Sequence, residues 1–196
     1  MSVSTKDRIR EAAFSRFANQ GYEATTMNDI AAGVGIKKPS LYEHYHGKDE
    51  IFLAVYQELE KDYRGYMDRV IDEARAMDET ERKLYHIFER YIVYFAENIE
   101  VSAFWNRILY LPNHPLKERV LPGMTEMELG FQARIKQIIQ EGMDRGVLRR
   151  EPPEELLDAY YCIREGLLIA MLVKGRLVHQ EIGQVWRNFW LGLKER

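Results

Sequence analysis

Apolar residues recur along this chain at spacings of three and four, and no two-residue alternation survives more than a few positions. That period belongs to helices that bury one face, so the fold class it predicts is all-α. Ile9, Ala13 and Phe17, with Ala12 beside them, form the inner stripe of a first helix over about Thr5 to Asn19, and Gly21 suits the left-handed position that closes it. Thr26 followed by Asp29 is the reciprocal capping pattern of a helix start, and the short second helix carries Ile30, Ala31 and Val34 on one face before Gly35. Lys37-Lys38-Pro39 then opens a third helix, with proline in the first turn where its missing N–H costs nothing, and this helix is expected to end by His46-Gly47.

From Lys48 a long helix follows, with Ile51, Phe52, Val55, Tyr56, Leu59, Tyr63, Tyr66, Met67, Val70 and Ile71 in a broad apolar stripe. Further helices are expected over about Glu79–Glu97, Val101–Tyr110, Leu116–Asp144, Glu154–Lys174 and His179–Lys194, and Pro122-Gly123 could divide the third of these. The organisation predicted is an N-terminal three-helix domain over 1–48, joined by the long helix to a larger helical domain over 49–196.

The segment from Thr25 to Lys48 reads as a helix-turn-helix, in which the first helix crosses the DNA backbone and the second enters the major groove. Ile30, Ala31, Val34, Ile36, Leu41 and Tyr45 would form the small core that sets the angle between the two helices. Lys37, Lys38, Pro39, Ser40, Tyr42 and His44 are left at the start and outer side of the recognition helix. Lys38 and Ser40 are the expected base contacts, since lysine favours guanine and serine accepts either base. Thr26, Tyr42, His44 and Lys48 are the expected phosphate contacts, which position the protein without reading sequence. Lys48 is informative because a cation in the first turn of a helix opposes the macrodipole by roughly 0.3–1 kcal/mol, so a residue tolerated there can be serving an anion.

Charge agrees with this division. The net charge is −3, yet residues 1–48 carry +2 and the remainder −5. The longest apolar run, about Gly166 to Val173, is too short for a membrane span, and the N-terminus has no apolar signal core, so a cytoplasmic protein without membrane contact is expected. The single cysteine, Cys162, falls in an apolar helical pattern and is read as packing.

The residues of the helix-turn-helix carry a resemblance. Thr26, Ile30-Ala31, Gly35, Leu41-Tyr42, His44-Tyr45 and Lys48, preceded by Ala12-Ala13, Phe17 and Gly21, resemble the pattern of the TetR family of bacterial transcription regulators over about the first 55 residues. The resemblance implies a homodimer that binds a near-palindromic double-stranded operator, usually repressing transcription until a small molecule occupies the C-terminal domain. The chain departs from the family at Lys37, where serine or threonine often caps the recognition helix and lysine offers no side-chain acceptor.

The C-terminal part is rich in large, soft side chains. An apolar or aromatic effector is expected there, with Tyr63, Tyr66, Met67, Phe104, Trp105, Tyr110, Met127, Phe131 and Tyr160 as candidate contacts, since buried Tyr and Trp polar groups need partners that a pocket can supply. The last two helices are apolar on wide arcs, and Leu168, Met171, Val185, Trp186, Phe189 and Trp190 are the expected dimer surface. No enzyme is expected: His44 and His46 point to different sides of a helix, no nucleophile or phosphate-loop motif is present, and neither a metal nor a cofactor is called for. Two alternatives stay open. One is the same architecture controlled by a protein partner or by nothing; the other is a helical small-molecule-binding protein without DNA function.

Overall fold

Ser4 starts the first helix. Its hydroxyl accepts from the Asp7 amide at 3.1 Å while the Asp7 carboxylate accepts from the Ser4 amide at 3.3 Å, so two otherwise unpaired N–H groups are satisfied reciprocally. In the computed structural model, which describes residues 4–109, 115–175 and 179–195, the helices in chain order are α1 (Thr5–Gln20), α2 (Met27–Val34), α3 (Lys38–Tyr42), α4 (Lys48–Arg75), α5 (Thr80–Glu97), α6 (Ile99–Leu109), α7 (Pro115–Asp144), α8 (Pro153–Lys174) and α9 (His179–Leu193). The fold is all-α, as the periodicity predicts. No helix among the described residues is long and apolar enough to cross a membrane.

Two compact units share these helices, one of Met1–Tyr63 with Glu100–Met124 and the other of Arg64–Ile99 with Thr125–Arg196. In the first, Ile9, Ala13 and Phe17 of α1 are buried as expected, together with Ile30, Leu41, Ile51 and Phe52. The Phe52 ring sits 5.3 Å from Phe17, 5.4 Å from Tyr22 and 5.3 Å from Phe104, so one aromatic cluster joins α1, α4 and α6. Each such buried ring contributes about 1.5–3 kcal/mol through removal of apolar surface from water.

The second unit is centred on α5, α8 and α9. Phe88 lies 5.2 Å from Trp186 and 5.9 Å from Tyr160, and the Tyr160 hydroxyl donates to the Leu84 carbonyl at 3.0 Å, which satisfies the one polar atom of a fully buried ring. The end of α9 is clipped to the α7–α8 link, where Arg149 N–H donates to Leu193 and Glu195 N–H to Val147.

Three local expectations are corrected. The third helix does not reach His46-Gly47 but stops at Tyr42. Pro122 does not divide its segment, and α7 continues through it. Pro122 and Glu118 are both exposed, so water can take up the Glu118 carbonyl that a proline four residues later leaves without its N–H. Cys162 is exposed and not packed, because the inward stripe of α8 runs through Tyr160 and Arg164 on either side of it.

Candidate nucleic-acid interface

The turn between α2 and α3 is set by local chemistry at both ends. Thr26 caps α2: its hydroxyl accepts from the Asp29 amide at 3.2 Å, and the Asp29 carboxylate accepts from the Thr26 amide at 2.8 Å and its hydroxyl at 2.6 Å. Those bonds to Thr26 hold the Asp29 carboxyl below its ordinary pKa, the side-chain bond having the larger effect. Gly35 closes α2 at φ +75°, a left-handed conformation that costs glycine nothing, and the Ile36 amide returns to the Ala31 carbonyl at 3.0 Å. Arg8 adds a tie that the sequence pattern did not disclose, donating to the Val34 carbonyl at 2.6 Å from α1.

From that turn α3 emerges with Lys37 at its cap position, and no side chain satisfies the cap, as the residue type requires. Leu41 and Tyr45 are buried beneath it, with Ile30, Ala31 and Val34, while Ile36 is half-buried. Lys37, Lys38 and Pro39 are exposed, Tyr42 is 45% exposed, and Ser40 and His44 are half-buried. The five-residue helix and its cap residue thus present two ammonium groups, a hydroxyl and a phenol on the side away from the core. Donors of these kinds at a helix start suit the phosphates and base edges of a duplex groove.

Lys48 differs from its neighbours. Its ammonium donates to the Tyr22 carbonyl at 2.7 Å and lies 4.0 Å over the Tyr22 ring. An intramolecular carbonyl and a π face therefore already offset the unfavourable position at the start of α4. The Tyr22 hydroxyl donates to Asp49, and burial, followed by that bond, pushes its pKa well above the ordinary tyrosine value.

Residues 9–55 match the family model described as bacterial regulatory proteins, tetR family, and these residues hold the whole of the helix pair just described. Over these residues the chain is similar to the TetR family of bacterial regulators. Over 47 residues it is 49% identical to the negative transcriptional regulator of a biofilm operon, IcaR, of Staphylococcus epidermidis, a match that covers 24% of this chain and 25% of that regulator's length. Over 179 residues it is 27% identical to the helix-turn-helix transcriptional regulator YhgD of Bacillus subtilis, covering 88% of this chain and 84% of that one. The fatty acid degradation regulator FadR of Bacillus halodurans superposes with a TM-score of 0.75 over 100% of both chains at 16% identity, a likeness of fold. The family model and the curated relatives agree on a helix-turn-helix region of the kind found in transcription regulators.

The remaining expected site residues fall as follows. Tyr63, Phe104 and Trp105 are buried in the first unit, and the Trp105 indole N–H has no hydrogen-bond partner among the described residues. Met67, Met127, Phe131 and Tyr160 are buried in the second unit, where Tyr66 is half-buried, stacked on Tyr94 and bonded to the Arg90 carbonyl at 3.0 Å. Tyr110 lies outside the described residues. Of the expected dimer surface, Leu168, Met171, Trp186 and Trp190 are buried within the single chain. Val185 and Phe189 are half-buried.

Sequence reasoning missed Arg164. It is 3% exposed, its guanidinium lies 3.7 Å from the Tyr91 ring centre and 4.0 Å from that of Tyr161, and it donates to the Glu165 carboxylate at 2.7 Å. The signal was present, because residue 164 stands in the inward stripe with Leu157, Tyr160, Leu167, Leu168 and Met171, where a cation must find an anion.

Proposed function

We propose that this chain is a homodimeric repressor that binds a near-palindromic operator through α3 and is released from it by a small apolar or aromatic ligand. The observation that carries the reading is the division of α3 and its flanks: Leu41 and Tyr45 are held in the core while Lys37, Lys38, Pro39 and Tyr42 stand outward. Residues 1–48 are then the DNA-reading domain, with Thr26, Ser40, His44 and Lys48 completing the contact set, and residues 49–196 bind effector and partner. A cytoplasmic location follows from the role.

Pairing is supported by the outer face of α8. Cys162, Gly166, Ile169 and Val173 recur at helical spacing and are all exposed, Ile169 by 58% and Val173 by 82%, so an apolar stripe is open to a second copy of the same surface. The effector reading is supported by the aromatic and methionine side chains of α4, α6, α7 and α8, Tyr63, Tyr66, Met67, Phe104, Trp105, Met127, Phe131 and Tyr160 among them, and by the Trp105 indole N–H, which has no acceptor among the described residues. Release requires only that the ligand prefer the state with lower operator affinity, and a ligand bound equally by both states would leave the switch unmoved.

The test is fluorescence anisotropy with duplexes from the DNA flanking the coding region, repeated over a range of salt. Saturable, salt-dependent binding lost in Tyr42→Ala supports the reading. A folded protein indifferent to every duplex at low salt overturns it in favour of a helical ligand-binding protein. Compounds found by thermal shift are then added to the complex: release supports ligand control, and binding without release leaves control to a protein partner.

A further inference from the structure

An open groove of about 250 Å³ runs between α1 and α4 in the unit that contains α3. Its floor is apolar, made by Phe14, Val55 and Leu59. Val55 is buried, the other two are half-buried, and the Phe14 ring is braced edge-on against Phe104 at 5.9 Å, so this wall is formed before anything binds. The rim is a different chemistry. Asp7, Glu11 and Glu58 bring three carboxylates, and Arg10 is the one cation among the lining residues.

That cation is already shared. Arg10 stands 2.5 Å from the Asp7 carboxylate and 3.7 Å from that of Glu58. Asp7 is further committed to the Ser4 cap, whose hydroxyl bond lowers its pKa and keeps it ionised. Two negative charges are therefore in excess over an apolar floor, with Glu11 exposed on one bank and Glu58 exposed on the other.

We propose that this groove binds a small amphiphilic organic cation, with an aromatic or branched alkyl body on Phe14, Val55 and Leu59 and its ammonium group between Glu11 and Glu58. The charge pattern selects the occupant. An anion meets net repulsion at the rim, and a neutral hydrocarbon gains only the floor. The volume lies just below the ~300–1,000 Å³ of ordinary small-molecule sites, which limits the ligand to about the size of a benzylammonium. This site goes beyond the effector reading: none of its lining residues is among the expected effector contacts, it lies in the compact unit that contains α3, and its ligand contacts the two helices that flank the helix-turn-helix in sequence.

The full chain, labelled with ¹³C at valine and leucine methyls, is titrated with benzyltrimethylammonium, with its neutral isostere neopentylbenzene and with the anion benzylsulfonate. The expected result is saturable shifts at the Val55 and Leu59 methyls with the cation, affinity about threefold or more lower for the isostere, and none for the anion. Glu11→Gln with Glu58→Gln should weaken the cation about threefold while the other methyl resonances stay in place, since both side chains are exposed. Should that pair disturb the fold, Glu11→Lys alone puts a cation on the rim and must also weaken binding. Equal binding of cation and isostere, shifts confined to methyls elsewhere, or a basic peptide displacing the cation at far lower concentration would each overturn the proposal. Operator binding, followed by anisotropy in the same samples, tests the repressor reading separately.

Discussion

Arg107 holds the end of α1 through Ala18: its Nε donates to the Ala18 carbonyl at 2.9 Å, and a second guanidinium nitrogen donates to the Asn19 carbonyl at 2.9 Å. The last carbonyls of a helix have no partners within it, and here α6 supplies them. Glu100, also on α6, accepts from Ser15 at 3.0 Å and Asn19 at 2.7 Å, so the contact is double.

Arg107→Ala is accordingly expected to destabilise the chain by about 1 kcal/mol, the net worth of such bonds at a partly exposed site. Arg107→Lys should recover less than half of it, because an ammonium cannot present two donors in a fixed fork. Urea denaturation followed by circular dichroism measures both, and an unchanged midpoint in Arg107→Ala would refute the role.

The α2 cap makes stability depend on acid. Asp29 has a folded-state pKa below its ordinary value, so its contribution is fully present above about pH 4 and is lost as pH falls through the lower folded value. Thr26→Ala removes both side-chain bonds of the cap. It should cost about 1 kcal/mol at neutral pH. Thermal unfolding across the acid range should also show a shallower decline in the variant, and parallel curves would refute the linkage.

Two lysines near the turn should behave differently in DNA binding. Lys38 is exposed, and Lys38→Ala is expected to lower operator affinity and reduce the slope of log affinity against log salt by about 1 if it meets a phosphate, with the melting temperature unchanged. Lys48→Ala also gives up the Tyr22 carbonyl and ring, so it should lower the melting temperature as well. Anisotropy over a salt series, paired with calorimetry, separates them; equal melting temperatures would show that the Tyr22 contact contributes nothing.

Pairing through α8 is tested by charge on its outer face. Ile169→Glu and Val173→Glu alter exposed side chains, so the fold should survive and light scattering should give a monomer. Leu168→Glu, one residue from Ile169 but buried, should instead unfold the chain. A folded dimer in both exposed-site variants would place the interface elsewhere.

Helix positions, the Thr26–Asp29 cap and the Gly35 turn were legible in the sequence because each depends on residues within a few positions of one another. So was the outward set at α3, since burying Leu41 and Tyr45 leaves Lys37 and Lys38 no inward option. Periodicity cannot say which neighbour a wide apolar arc meets. Trp186 and Trp190 looked like a surface for a second copy, yet Trp186 packs on Phe88, almost a hundred residues earlier, and both tryptophans lie inside their own chain. Nor did the sequence disclose that the Lys48 ammonium lies over the Tyr22 ring. Local order along the chain determined the helices and their caps, because backbone bonding and side-chain period are short-range. Only the tertiary structure decided which faces were spent internally, because burial is settled by partners distant in sequence.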